Sequence, residues 1–325
     1  MTANVVQMAY VGETPWHGEG NVLTEGADIE TWTREAGLDF EVKKAEVLFG
    51  PRGLPLRKFG KRFVTHRADD GTPLGIVSDR FQLVQPREVV EFYREFVASG
   101  GMKLETAGTL LDSRRVWGLA SLDAPFSLPG GDVVRPYFLL ATGFGDGTGT
   151  TGTFTSVRVV CCNTLQMAMN ERDEDNRKSR ISGFSVGHNA KFDRAWAQQQ
   201  VENLISASHD FENNAALLAS TGISNAEVLR YFVGLVGVES DKGELTPQSK
   251  TKIDRLVQLY RSGPGADLPT ARGTAWGALN AITHYADFDV PVRKTGSRFV
   301  SGQFGPGNQL KNRALEAALE LAVAA

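Results

Sequence analysis

Cysteine is nearly absent. The 325 residues hold only Cys161 and Cys162, which are neighbours. Adjacent cysteines rarely bridge, because a disulfide needs Cα atoms about 5.5 Å apart and facing side chains. A disulfide framework is therefore excluded, and a reducing compartment is expected. The pair also lacks the CxxC spacing that lets two thiolates share a tetrahedral metal ion. The histidines do not help, because His17, His66, His188, His209 and His284 are scattered singly. No metal and no other cofactor is expected.

Long apolar runs are missing too. No stretch approaches the roughly 18 apolar residues of a membrane span. The opening "MTANVVQMAYVGETPWHGEG" shows no basic segment followed by an apolar one, so no signal peptide and no membrane association are expected. The expected location is the cytoplasm of the host cell. No GxxxxGK[ST] occurs, which removes support for P-loop ATPase chemistry. The net charge is −3, so any affinity for a polyanion must rest on local patches.

What is present points to an α+β protein. "KRFVTHRADDGTPLGIVSDRFQLVQ" places two β-rich runs around "DDGT", a hairpin signal. In "REVVEFYREFVASGG" the residues Val89, Phe92, Tyr93, Phe96 and Val97 fall at helical spacing. "KLETAGTLLDSRRVWGLASL" reads as another strand pair, and "DVVRPYFLLATG" and "TFTSVRVVCC" as two more strands. From about Lys191 the pattern turns helical. "SNAEVLRYFVGLVG" carries Ser224 with Glu227 three residues on, a capping box. The fold expected is an N-terminal region rich in antiparallel sheet, with one or two packed helices, followed by a mainly helical C-terminal region. The boundary expected near residue 185 gives domains 1–185 and 186–325.

Local motifs give little chemistry. Gly147, Gly149 and Gly152 in "GTGTTG" match GxGxxG, but "TFTSVRVV" after them reads as a strand. Pyrophosphate binding needs a helix N-terminus there. Glu41-Val42-Lys43 is an ExK triplet like that of metal nucleases, with only Asp28 and Asp39 near in sequence. In "SVRVVCCNTLQMAMNE", Asn163 and Gln166 form a capping-box pattern, so a strand handing over to a helix is expected at Asn163–Thr164.

The charge distribution is more informative. No acidic residue lies between Glu46 and Asp69, whereas Arg52, Arg57, Lys58, Lys61, Arg62 and Arg67 do, interleaved with Phe59 and Phe63. A second window between Asp175 and Asp193 holds Arg177, Lys178 and Arg180. A third, between Asp289 and Glu316, holds Arg293, Lys294, Arg298, Lys311 and Arg313. Basic side chains release counterions from phosphates, and aromatic rings offer stacking platforms to unpaired bases. Of these residues, Arg52, Arg57, Lys58, Phe59, Lys61, Arg62, Phe63, Arg67, Arg177, Lys178, Arg180, Arg293, Lys294 and Arg298, with Arg158 from the "SVRVV" strand, are the candidate nucleic-acid contacts. Each window alone reads better as an ordinary solvated loop whose rings pack in the core; the three together carry the nucleic-acid reading.

Five stretches carry a resemblance to a known family. They are "TPWHGEG", "LGIVSDRFQLVQPREVVEF", "ETAGTLLDSRRVWGLASL", "RVVCCNTLQMAM" and "GTAWGALNAITHYADF". In that order they resemble the landmarks of the phage/plasmid-like proteins of unknown function, and "RVVCCNTL" is the sharpest match. One departure stands at Phe144-Gly145-Asp146-Gly147, where the family often has His-Asp-Gly. The resemblance implies a mobile-element setting and supplies no activity. In that setting the expected function is ATP-independent binding and annealing of single-stranded DNA during recombination, as in the Rad52-like annealing proteins. A homo-oligomer, of the ring form those proteins take, is expected with it. One alternative is a metal-dependent nuclease using Glu41 or Asp79. Another is a host-interaction or counter-defence protein that binds a protein partner.

Overall fold

A computed structural model of the chain describes residues 5–12, 20–98, 101–122, 125–145, 149–160, 163–166, 183–186, 194–238, 244–291 and 298–324. The chain opens with β1 (Val5–Val11), β2 (Asn21–Leu23), α1 (Ile29–Glu35), β3 (Val42–Phe49), β4 (Arg57–Arg67), β5 (Pro73–Ser78) and α2 (Pro86–Ala98). Then come β6 (Met102–Leu110), β7 (Arg115–Leu122), β8 (Phe126–Leu128), β9 (Asp132–Gly143), β10 (Thr150–Arg158), β11 (Asn163–Gln166) and β12 (Gly183–Val186). The rest is helical: α3 (Arg194–Ser220), α4 (Asn225–Val236), α5 (Pro247–Ser262), α6 (Ala275–His284), a π-helical turn (Tyr285–Asp289), α7 (Arg298–Phe304) and α8 (Pro306–Ala324). A sheet-rich region with two helices thus precedes a mainly helical one, as the residue pattern predicts.

The chain forms two compact units that interleave in sequence. One comprises Met1–Asp123, Tyr137–Thr153 and Gly183–Val201, and the other Ala124–Pro136, Phe154–Ser182 and Glu202–Ala325. The division therefore does not fall at residue 185, because β9 and β10 each give residues to both units. Among the described residues, no helix is long and apolar enough to cross a membrane.

In the first unit, β1, β6, β7 and the second half of β9 pair antiparallel, and β2 joins β1 in parallel. Helix α2 covers β6 and β7; of the face predicted from its periodicity Val89, Phe92 and Tyr93 are buried, Val90 is buried with them, and the side chains of Phe96 and Val97 lie outside the described residues. The Tyr93 hydroxyl lies 2.8 Å from the carbonyl of Gly118 and 3.1 Å from that of Phe138, and it accepts from the Leu140 N–H at 3.0 Å. Only glycine fits at 118, since a Cβ there would stand 2.8 Å from the Tyr93 ring. Burial pushes the phenol pKa well up, so the hydroxyl stays a neutral donor.

A second sheet in this unit is the meander β3-β4-β5. Its β4–β5 hairpin turns where "DDGT" predicts it, with Asp70 accepting from the Thr72 N–H at 2.8 Å. The root of the meander is tied down at several points. The Gln85 side chain accepts from Val42 N–H at 2.9 Å and donates to Val42 C=O at 3.1 Å. Lys44 donates to the Phe81 carbonyl. The fully buried Thr65 hydroxyl lies within hydrogen-bond reach of the Gly75 and Phe144 carbonyls.

The second unit centres on α6, whose residues Ala275 to Thr283 are all buried. A helix apolar on every side belongs inside a bundle. Thr274 caps α6 by accepting from Gly277 N–H at 3.1 Å, and Thr246 caps α5. Ser224 and Glu227 form the expected capping box on α4. Here β8 pairs with the first half of β9, and the end of β10 pairs with β11.

The β10–β11 pairing corrects one expectation. Asn163 does not cap a helix, because Asn163–Gln166 is a strand whose residues Asn163 and Thr164 pair with Arg158 and Val157. A local capping pattern gave way to the partner strand, with which the segment forms an antiparallel ladder at the edge of the sheet. Cys161 and Cys162 lie outside the described residues.

Candidate nucleic-acid interface

From Leu48 to Arg62 every residue is exposed. The segment is the outer part of the β3–β4 hairpin, and it projects as an arm from the anchored root of the meander. Its register explains its form. Glu46 pairs with Phe63, but Leu48 pairs with Lys58, so Phe59 to Arg62 oppose Val47 alone. This wide bulge needs a left-handed residue, and Gly60 supplies it at φ 53°. Bulges re-aim side chains and end regular pairing. This one presents Phe59, Lys61 and Arg62 together.

The arm is both cationic and apolar. Arg52, Arg57 and Arg62 make no ion pair among the described residues. Lys58 pairs with Glu46 at 2.6 Å and Lys61 with Asp79 at 3.5 Å, both in the open. Exposed pairs of this kind are worth about 0–1 kcal/mol, so both lysines remain available to a phosphate. Phe49 and Phe59 are 51% and 52% exposed and meet edge to face, ring centroids 5.7 Å apart. Leu48, Leu54 and Leu56 are exposed as well. The arm thus leaves five large apolar side chains in solvent, Leu48, Phe49, Leu54, Leu56 and Phe59.

Several predicted contacts sort differently. Phe63 is half-buried at the root, with the Lys44 ammonium 5.9 Å from its ring centroid. Arg67 lies at the far end of β4, stacked 4.2 Å over Phe40, with Nη2 2.6 Å from Asp69. The hydrogen bond that Arg67 donates to Asp69 raises the Arg67 pKa, and in turn holds the exposed Asp69 below its usual range. Arg67 is thus a structural arginine joining a turn to an aromatic face.

Arg158 requires a correction. It is 3% exposed and donates to the fully buried Asp132 through Nε and Nη2, both at 2.7 Å. Asp132 also accepts from the Thr270 hydroxyl at 2.8 Å and from Trp276 Nε1 at 3.0 Å. Arg158 reaches the Gly265 carbonyl at 3.1 Å. A guanidinium spent this way cannot meet a phosphate. Lys311, in the third basic window, is withheld from solvent in the same way, fully buried with Nζ 2.8 Å from Asp287. Burial lowers its pKa, and Asp287 opposes that shift.

Arg177, Lys178, Arg180, Arg293 and Lys294 lie outside the described residues, and Arg298 begins α7. The arm therefore gathers Arg52, Arg57, Lys58, Phe59, Lys61 and Arg62. It adds Leu48, Phe49, Leu54 and Leu56, which charge counting missed. Their signal was present in "LFGPRGLPLRKFG", an apolar run with neither period 2 nor period 3.6. The nuclease candidates lie in exposed ion pairs, Glu41 with Lys43 at 3.1 Å and Asp79 with Lys61 at 3.5 Å. Among the described residues no cluster of three or more His, Cys, Asp or Glu could hold a metal ion.

A family profile described as "Domain of unknown function (DUF932)" matches residues 73–302. The chain belongs to this DUF932 family. No curated protein and no solved structure matches the chain. The matched segment takes in the Asp132–Arg158–Thr270–Trp276 centre and begins at β5. The arm precedes it.

Proposed function

We propose that this protein binds single-stranded nucleic acid through the β3–β4 arm, without ATP, as a recombination or annealing factor of a phage or plasmid. The observation that carries the proposal is the solvated arm, on which three unpaired arginines and two lysines surround the exposed rings of Phe49 and Phe59. Phosphates would meet the cations, and unpaired bases would lie on the rings. Stacking of this kind is worth about 1–3 kcal/mol per base and tolerates any sequence. The resemblance to phage/plasmid-like proteins supports the setting. The order of meander β3-β4-β5 followed by α2 is compatible with the sheet-then-helix core of Rad52-like annealing proteins. A homo-oligomer, in ring form, belongs to the same proposal.

The test is binding of the full chain to a labelled oligothymidine of roughly 40 nucleotides, long enough for several sites. It is done at low and moderate salt, without nucleotide or metal. Binding that weakens steeply with salt, with light scattering showing a large assembly, supports the proposal. No shift at low salt overturns it.

A further inference from the structure

We propose that the tip of the arm is a wedge that enters between bases where single-stranded and duplex nucleic acid meet. This rests on the single-strand proposal above and adds the form of the substrate.

The arm is graded along its length. Its tip is Leu54-Pro55-Leu56, with the two leucines 61% and 63% exposed. The tip is closed by a turn in which Leu54 N–H donates to the Pro51 carbonyl at 3.1 Å. Pro51 and Pro55 each fix φ near −65°, which stiffens it. Arg52 and Arg57 flank the leucines, and the Phe49–Phe59 pair stands behind them.

Phenylalanine rings suit a single strand, because each base offers a face to stack on. Leucines have no π face. They gain on binding only by leaving water for an apolar slot, and the slot that a nucleic acid offers is an opened base step. Wedges of Leu, Phe, Ile, Met or Pro flanked by cations enter such steps in architectural DNA-binding proteins. The cost is unstacking, which is least where a duplex already ends. At that point Arg52 and Arg57 would face the phosphates of the two diverging strands. A second copy of the chain is a poor occupant, because Arg52, Arg57, Lys58, Lys61 and Arg62 on each arm would repel one another against only two acids, Glu46 and Asp79.

The test uses the full chain and three DNA probes: a single strand, a blunt duplex and a fork. The fork carries 2-aminopurine at its first base pair. The wild type is expected to brighten the junction probe several-fold and to bind the fork about tenfold tighter than the single strand. In Leu54→Ser/Leu56→Ser both effects are expected to vanish while single-strand affinity stays within about twofold. Since both leucines are exposed, the thermal midpoint should not move. Equal binding of fork and strand without brightening overturns the wedge and leaves the single-strand proposal standing, as does brightening that survives the double substitution. No binding to any probe overturns both. Leucine-dependent sedimentation with phosphatidylserine vesicles, with no brightening on the fork, would overturn the wedge in favour of a lipid surface.

Discussion

The arm and the Asp132 centre are built from the same residue types, yet they differ in kind. On the arm, Arg57 and Arg62 stand in water with no partner among the described residues, beside the exposed rings of Phe49 and Phe59. In the centre, Arg158 is buried against Asp132, its carbon Cζ 6.0 Å from the Trp276 ring centroid. The arm's cations cost the fold nothing, so they are free to serve a ligand. The centre's cation is committed, because moving it would strand a carboxylate that has no access to water. What separates them is burial, which decides whether a charge is a spare valence or a structural bond.

The largest effect should come from breaking the centre. Arg158→Met leaves Asp132 charged and short of two donors. Removing one partner of a buried pair costs about 3–5 kcal/mol, which chemical denaturation would read directly. Asp132→Asn in the same chain should recover part of that loss, because the stranded charge is gone. An Arg158→Met protein as stable as the wild type would show that the pair contributes nothing.

Substitutions on the arm should do the reverse. Arg57→Glu/Arg62→Glu should weaken single-strand binding by at least about tenfold at moderate salt. Its unfolding free energy should stay within about 0.5 kcal/mol, as expected for solvated surface sites. Phe59→Ala should cost about 1–3 kcal/mol of binding, the range for one stacked base, again without a change in thermal midpoint. If either variant unfolds early, the arm is part of the core and the contrast fails.

The smallest effect concerns pH in the second unit. Burial lowers the His284 pKa, with Asp289 opposing and Arg255 adding to the shift. The unfolded chain therefore takes up that proton first. Stability from this site is full above about pH 6.5 and falls as pH drops below it. Denaturation at pH 7.5 and 5.5 should show a decrement that His284→Gln removes. An unchanged pH dependence in that variant would assign the decrement elsewhere.

Much of this contrast was legible in the residues. The turn at "DDGT", the apolar face of α2 and the Ser224–Glu227 box are local signals, and each sits where local chemistry places it. The arm was half legible, since its charges stood out in an acid-free window but its leucines followed no period. The centre was not legible. Asp132, Arg158, Thr270 and Trp276 are far apart in sequence, and an arginine in a β-branched strand shows no sign of its partner. Asn163 misled for a related reason. Its spacing to Gln166 satisfies a cap, but pairing with β10 offers more bonds than a cap does.

The most direct measurement is the salt dependence of binding to fluorescent oligothymidine, for the wild type and for Arg57→Glu/Arg62→Glu. For single strands the slope of log K against log salt is about −0.7 per phosphate neutralised. The wild type should show a steep slope, and removing two arm cations should make it shallower by about 1.4. Identical slopes and affinities for the two proteins would show that the arm does not carry phosphate contact, and would contradict the central claim.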